Sequence, residues 1–118
     1  MALKSFKELI VWQKSMDLCE EIYRLAHSFP ASEIYGLSAQ LKRAVISIPS
    51  NIAEGFSRNS TKEFIQFLYI ANGSLSEVET QLDLAARLNF IEEERIPIEE
   101  IKHIRAMLTG LIKSLKNK

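Results

Sequence analysis

Cysteine and long apolar runs are scarce in this 118-residue chain. Its single cysteine, Cys19, cannot form an internal disulfide, which favours a reducing compartment. No apolar run approaches the length of about 20 residues that spans a membrane, and the charged start of the chain has no apolar signal-peptide core. These absences predict a cytoplasmic protein with no membrane partner.

Motifs for catalysis are missing as well: the chain has no Gly-rich phosphate loop, no Cys-x-x-Cys pair and no Gly-x-Ser-x-Gly elbow. Cys19 falls in an apolar arc with no histidine one turn away, so we interpret it as a small hydrophobic residue. Glu100 and His103 form one Glu-x-x-His motif, but dimetal bundles need two such motifs and two further glutamates. We therefore predict no enzyme, no catalytic or metal-ligating residue and no cofactor.

The chain also lacks a net charge, since 15 Lys and Arg balance 15 Asp and Glu. A nucleic-acid-binding protein usually carries a basic excess, so neutrality argues against a general-purpose one. The charges are unevenly distributed, however. Residues 71–100 hold eight acids and two bases, whereas residues 101–118 hold five bases and no acid. A local basic patch is therefore compatible with the neutral total.

What the sequence does contain is four amphipathic segments with the period of an α-helix. No segment alternates with period two over a useful length, so no sheet is expected. Short connectors separate the segments, which favours antiparallel neighbours. The prediction is an all-α fold, a single up-down-up-down (antiparallel) four-helix bundle over residues 1–118, with helices at about 8–28, 33–57, 61–88 and 97–115.

Residues typical of helix starts mark these segments. Ser32 fits the N-cap of the second helix, Ser60 and Glu63 form a capping box for the third, and Pro97 fits the first position of the fourth. Gly73 lies inside the third helix, where it costs about 1 kcal/mol relative to alanine. We expect Gly73 to permit a close approach of another helix.

The second helix carries a polar stripe on the side opposite its apolar residues. Arg43 and Glu54 are about 16 Å apart along the axis, too far to pair within one helix. We predict that this stripe packs against a neighbouring subunit, where both residues find partners; a plain solvated face explains the pattern equally well. The predicted interface residues are Gln40, Arg43, Ser47, Ser50 and Glu54.

Two basic features are candidates for binding anions. Arg58 and Lys62 flank the start of the third helix, where backbone amides favour anions, although Ser60 and Glu63 can satisfy those amides. The other feature is a C-terminal run of bases, which helix C-termini favour in any protein. That run consists of Lys102, Arg105, Lys113, Lys116 and Lys118. In a ring of subunits a positive band can also form, and its predicted nucleic-acid contacts are Lys42, Arg43, Arg58 and Lys62.

Five segments of the chain occur in a familiar order. They are Val11-Trp-Gln-Lys, Phe29-Pro30 with Glu33-Ile-Tyr-Gly36-Leu37, Gln40-Leu-Lys-Arg-Ala44, Ser47-Ile-Pro-Ser-Asn-Ile-Ala-Glu-Gly55, and Gly73-Ser74 with Glu77. Together they resemble the four-helix-bundle family named for proteins encoded in intervening sequences of bacterial 23S ribosomal RNA genes. The likeness covers roughly residues 6–90, and its specific part is the segment 47–55.

This resemblance implies a cytoplasmic bundle that assembles into a homo-oligomeric ring, a homopentamer, with no established catalytic residues. The chain is also similar to the accessory protein of diversity-generating retroelements, which binds nucleic acid through a basic surface. The expected function is a non-enzymatic oligomer that binds or organises RNA, another nucleic acid or a ribonucleoprotein. One alternative is a protein–protein scaffold ring with no nucleic-acid role, and another is a small-ligand or metal site in the lumen of the bundle or ring.

Overall fold

A computed structural model describes residues 3–118, in which four antiparallel helices pack side by side. The helices are α1 (Ile10–Ala26), α2 (Leu37–Phe56), α3 (Thr61–Arg87) and α4 (Ile98–Lys116). Single 3-10 turns precede α1, α2 and α4 at Phe6–Glu8, Ala31–Glu33 and Glu93–Arg95. Consecutive helices are neighbours, and α1 also contacts α4, which closes the bundle. The prediction of an all-α, up-down-up-down bundle is confirmed; the first two residues of its predicted 1–118 domain lie outside the described part.

The core lies where the apolar sides of all four helices meet. Its fully buried side chains recur at three- and four-residue spacing, because that spacing keeps them on one face of a helix. Burying them supplies most of the stabilisation of a small bundle. The largest are Leu18, Ile22, Leu41, Val45, Ile48, Ile52, Leu68, Leu75, Leu82, Ile101, Ile104 and Leu108. None of the helices within residues 3–118 is long and apolar enough to cross a membrane.

The start of α2 differs from its prediction because a carboxylate takes over the capping role. Ser32 is part of the 3-10 turn, and Gly36 occupies the N-cap position. The Leu37 N–H donates a hydrogen bond to Glu33 Oε1 at 3.0 Å. An acceptor of this kind satisfies one of the backbone donors that a helix start leaves free. The predicted N-cap at Ser32 is therefore wrong, and α2 begins four residues later than the predicted position 33.

The other helix starts also show how local backbone geometry decides a boundary. Leu9 has extended backbone (φ −74°, ψ 124°), so α1 begins at Ile10 rather than at position 8. Pro97 lies at the N-cap of α4 and not at its first position. Ser60 caps α3 as predicted, since its Oγ accepts from the Glu63 N–H at 3.2 Å. The Glu63 carboxylate, however, lies 3.8 Å from Arg58 instead of returning to the Ser60 amide.

Two glycines have opposite surroundings. A Cβ built on Gly55 would lie 2.7 Å from the Phe67 Cβ, so Gly55 permits a close contact between α2 and α3. Gly73 is exposed, and a Cβ built there would meet no other part of residues 3–118 within 4 Å apart from the adjoining residues and backbone of its own helix. The close helix approach expected at Gly73 therefore does not occur within the described part of the chain.

Pro49, inside α2, leaves a backbone acceptor free that α1 satisfies. Proline has no N–H, so the carbonyl of Val45, four residues earlier, loses its helical partner. The Cys19 thiol donates to this oxygen, with an Sγ–O distance of 3.2 Å. Burial, and to a lesser degree the neighbouring Glu20 carboxylate, raises the pKa of Cys19 to about 11. At neutral pH, Cys19 is therefore a protonated thiol that can donate this hydrogen bond. The sequence interpretation of Cys19 as a small hydrophobic residue does not include this bond.

Candidate nucleic-acid interface

The antiparallel bundle separates positive from negative charge along its long axis. The starts of α1 and α3 and the ends of α2 and α4 lie together at one end, which we call the basic end. Divided at the helix midpoints, the half at the basic end comprises residues 3–17, 48–73 and 108–118. It carries eight Lys or Arg and four Asp or Glu, a net charge of +4. The other half, residues 18–47 and 74–107, carries seven bases and eleven acids, a net charge of −4.

The basic end collects residues that are far apart in the sequence. Lys62 lies in the first turn of α3, and Lys113 and Lys116 lie in the last turn of α4. All three are exposed. The bases of this half are Lys4, Lys7, Lys14, Arg58, Lys62, Lys113, Lys116 and Lys118. The neutral composition of the chain therefore conceals a concentrated positive surface.

A groove between α3 and α4 lies next to this surface, and we call it the Tyr69 groove. Its volume is about 290 Å³. The lining residues, all within the described part of the chain, include two lysines and no acid. They are Tyr69, Asn72, Thr109, Ile112, Lys113, Lys116 and Asn117. A groove with two ammonium groups and no carboxylate favours an anionic occupant.

Tyr69 is the aromatic residue of this groove, and the residue is 49% exposed. Lys116 Nζ donates a hydrogen bond to Tyr69 Oη at 2.6 Å and lies 5.2 Å from the ring centroid. These two distances place the ammonium beyond the hydroxyl edge of the ring and not over its face. The contact therefore orients the ring and leaves its face available to a ligand.

Arg105, although part of the basic C-terminal run, is engaged in joining α4 to α3. Its guanidinium donates to Glu79 Oε1 at 2.6 Å, to Ser76 Oγ at 3.0 Å and to Asn72 Oδ1 at 3.3 Å. An arginine can only donate, so Asn72 must present its oxygen to Arg105. The NH₂ group of Asn72 is then left as a donor for the Tyr69 groove.

The four predicted nucleic-acid contacts do not share one surface of the chain. Lys42 lies on the α1 side of α2, with its Nζ 5.1 Å from the ring centroid of Tyr23. Arg43 is exposed on the α3 side. Only Arg58 and Lys62 lie at the basic end.

Arg58 is partly neutralised by its neighbours. Its guanidinium lies 2.9 Å from the Glu54 carboxylate and 3.8 Å from that of Glu63. It also lies over the ring of Phe67, 5.1 Å from the centroid. Because these are half-exposed ion pairs, they hold Arg58 only weakly, but Lys62 is the freer of the two cations.

The predicted interface residues divide between contacts within the chain and an open groove. Ser47 is half-buried, and its Oγ lies 2.9 Å from Ser74 Oγ of α3. Asn51 Nδ2 also donates to Ser47 Oγ at 2.8 Å. Glu54 pairs with Arg58, four residues later, whereas Ser50 is exposed. Two of the five residues therefore already have partners inside the bundle.

Gln40 and Arg43 line a second groove, between α2 and α3, of about 380 Å³. Glu77 and Gln81 of α3 form its other side. Within residues 3–118, Arg43 has no carboxylate within 4 Å, and the buried Gln81 Oε1 accepts no hydrogen bond. We call this the Arg43 groove.

A metal centre has no ligand set in the described part of the chain. No group of three or more His, Cys, Asp or Glu side chains lies close enough to hold an ion there. Glu100 and His103 are both exposed on α4. Partial burial and, second, the Glu100 carboxylate raise the pKa of Glu21 on α1. The Glu100 carboxylate on α4 therefore repels the Glu21 carboxylate on α1.

Sequence reasoning missed Tyr69. The helical pattern puts Tyr69 outside the apolar stripe of the third helix, and Lys116 lies 47 residues away. The available signal was an aromatic residue on the polar side of an amphipathic helix, where burial does not explain it.

Comparison with known proteins identifies a family and a solved relative. The family described as 23S rRNA-intervening sequence protein matches residues 7–110. A crystal structure of a protein with unknown function from the S23 ribosomal protein family of Bacteroides thetaiotaomicron is similar, with a TM-score of 0.80 and 28% identity. The match covers 88% of this chain and 96% of that chain. No protein of curated function matches. The chain belongs to the family of 23S rRNA-intervening sequence proteins.

Proposed function

We propose that this protein is a non-catalytic bundle that binds RNA phosphates at its basic end. The observation that carries the proposal is the separation of charge, +4 against −4, that the antiparallel topology produces. The exposed lysines at positions 62, 113 and 116 are the principal contacts. We take RNA as the polyanion because the family is named for proteins encoded within 23S rRNA genes, and phosphate contacts of this kind fit any nucleic acid.

The neutral total charge does not oppose this function. Electrostatic interactions are screened over about 10 Å at 0.1 M salt, whereas the bundle is 46 Å long. A polyanion at the basic end is therefore largely unaffected by the acidic half. The acidic half repels the other phosphates of the RNA, so the RNA contacts only the basic end of the bundle.

Salt-dependent RNA binding tests the proposal. We expect a fluorescently labelled RNA hairpin with a single-stranded tail to bind with micromolar affinity at about 50 mM salt, and log K to fall linearly with log salt at about 0.7 per single-strand phosphate contacted. Fluorescence anisotropy measures both quantities. An unchanged anisotropy with about 100 µM protein at that salt contradicts the proposal, because non-specific phosphate binding reaches that range. The protein–protein scaffold is then the better function.

We also propose that the chain self-associates through the Arg43 groove. Arg43 has no carboxylate partner, and the buried Gln81 Oε1 has no donor, within residues 3–118. Buried polar groups normally have partners. A second copy would supply the missing donor to Gln81 Oε1 and present a carboxylate to the exposed Arg43. The family resemblance implies a pentamer of 13.5-kDa chains. Gln40, which lines the same groove, and Ser50, which is exposed two turns further along α2, complete the proposed contact.

Charge reversal at Arg43 tests self-association. We expect Arg43→Glu to lower the molar mass in solution, because a carboxylate at position 43 repels the carboxylate that the second copy is proposed to present to this groove. Light scattering on a size-exclusion column measures the mass. Arg87→Glu, an exposed reversal near the far end of α3, is the control and should leave the mass unchanged. Equal masses for wild type and Arg43→Glu contradict the interface.

A further inference from the structure

We propose that the Tyr69 groove holds one unpaired nucleobase, stacked on Tyr69, with the adjoining phosphate on Lys113 and Lys116. This inference rests on the proposed function and specifies its ligand: RNA that is single-stranded where it meets the basic end. The groove volume of about 290 Å³ lies at the lower limit of small-ligand sites. It suits a single base and excludes a duplex.

The ring of Tyr69 supplies the stacking surface. Nearly half of the residue is exposed, and Lys116 meets the ring at its hydroxyl edge. The hydrogen bond to Lys116 restricts the orientation of the ring before any ligand arrives, which lowers the entropic cost of binding. Base–aromatic stacking strengthens binding by about 5- to 150-fold per base and tolerates any sequence.

The polar residues of the groove match the remaining parts of a nucleotide. Lys113 and Lys116 meet a phosphate, and no carboxylate among the described lining residues opposes it. The Asn72 NH₂ group is free to donate to a base edge because Arg105 occupies its oxygen. The Thr109 hydroxyl and the Asn117 amide add further groups that donate and accept.

The geometry selects unpaired RNA because a stacked base must leave its own helix. Bases in a duplex are already paired and stacked, and extruding one costs a few kcal/mol. Single strands and loops present bases to aromatic side chains without that cost. The phosphate contacts alone do not discriminate between the two forms, so Tyr69 is the residue that determines the preference.

The test compares a labelled ten-nucleotide single strand with an RNA duplex by fluorescence anisotropy. We expect Tyr69→Leu to weaken single-strand binding about 5- to 150-fold without changing the salt dependence. Tyr69→Phe, which keeps the ring but loses the hydrogen bond from Lys116, should weaken binding much less than Tyr69→Leu does. Duplex binding should be unaffected by either variant. Tyr35→Leu, at a 93% exposed position outside the basic end, is the matched control and should change neither.

The outcomes separate this inference from the function on which it rests. If Tyr69→Leu binds the single strand as wild type does while Lys113→Gln and Lys116→Gln weaken binding, the stacking site is wrong and the basic-end function stands. If wild type binds neither RNA, both fail. Competition with AMP tests whether the ligand of the groove is a free nucleotide and not a strand. If AMP at equal nucleotide concentration fails to displace the strand, the strand is supported as the ligand. Full displacement by AMP overturns the strand as the ligand.

Discussion

Replacing Lys62, Lys113 and Lys116 together by glutamine should lower RNA affinity at about 50 mM salt by two to three orders of magnitude. Each phosphate contact to a single strand contributes about 0.7 to the slope of log K against log salt. Between about 1 M and about 50 mM salt, that slope corresponds to about eightfold in affinity for each contact. Loss of three contacts should also reduce the slope by about 2. All three side chains are exposed, so the bundle should remain folded.

The matched control neutralises three bases of the acidic half. Arg24, Arg87 and Lys102 are exposed there, and replacing them by glutamine changes the net charge of the chain by the same amount. We expect this variant to bind RNA within about twofold of wild type, because screening over about 10 Å separates the two ends. Equal losses in the two triple variants would show that total charge, and not the basic end, governs binding.

Gly55→Val should lower the free energy of unfolding by about 1–3 kcal/mol, the range in which overpacked cores usually fall. Its Cβ would lie 2.7 Å from Phe67 Cβ, 2.9 Å from Phe64 Cδ1 and 3.3 Å from the Phe64 carbonyl oxygen. The Phe64 ring can rotate away, but the Phe67 Cβ and the carbonyl move only with α3. The contact between α2 and α3 must therefore open. Urea unfolding followed by circular dichroism measures the change.

Gly73→Ala is the control at the other glycine of the α2–α3 pair. Within residues 3–118, a Cβ there meets nothing within 4 Å beyond the adjoining part of its own helix, so the substitution should stabilise the helix by about 1 kcal/mol. A tolerated Gly55→Val or a destabilising Gly73→Ala would contradict the packing of α2 against α3. A fall in molar mass for Gly73→Ala would instead place a neighbouring subunit at this glycine.

Much of the fold follows from local pattern. Apolar residues such as Leu75 and Leu82 repeat with the helical period, and that period alone assigns them to one buried face. The boundaries were less predictable because several groups compete for each helix start. Glu33, and not Ser32, accepts the hydrogen bond at the start of α2. The two residues are adjacent, and the local sequence does not distinguish which of them accepts. Glu54 and Arg58 are four residues apart, a spacing at which a helical ion pair can be predicted from the sequence. The sequence interpretation nevertheless places Glu54 in a subunit interface.

Both a structural contact of the bundle and the candidate site depend on which chain segments the fold brings together. Cys19 and Val45 are 26 residues apart, and only the packing of α1 on α2 makes the thiol the donor that Pro49 cannot be. Tyr69 and Lys116 are 47 residues apart and meet across α3 and α4.

By itself, therefore, the sequence determined the helices, the buried faces and the family, because helical periodicity and the segment 47–55 are local properties of the chain. Only the tertiary structure decided where the charge lies. The antiparallel packing places the bases of residues 58–62 and 113–118 in one half and all eight acids of residues 71–100 in the other. A sum over the sequence cancels these charges, because it contains no distances.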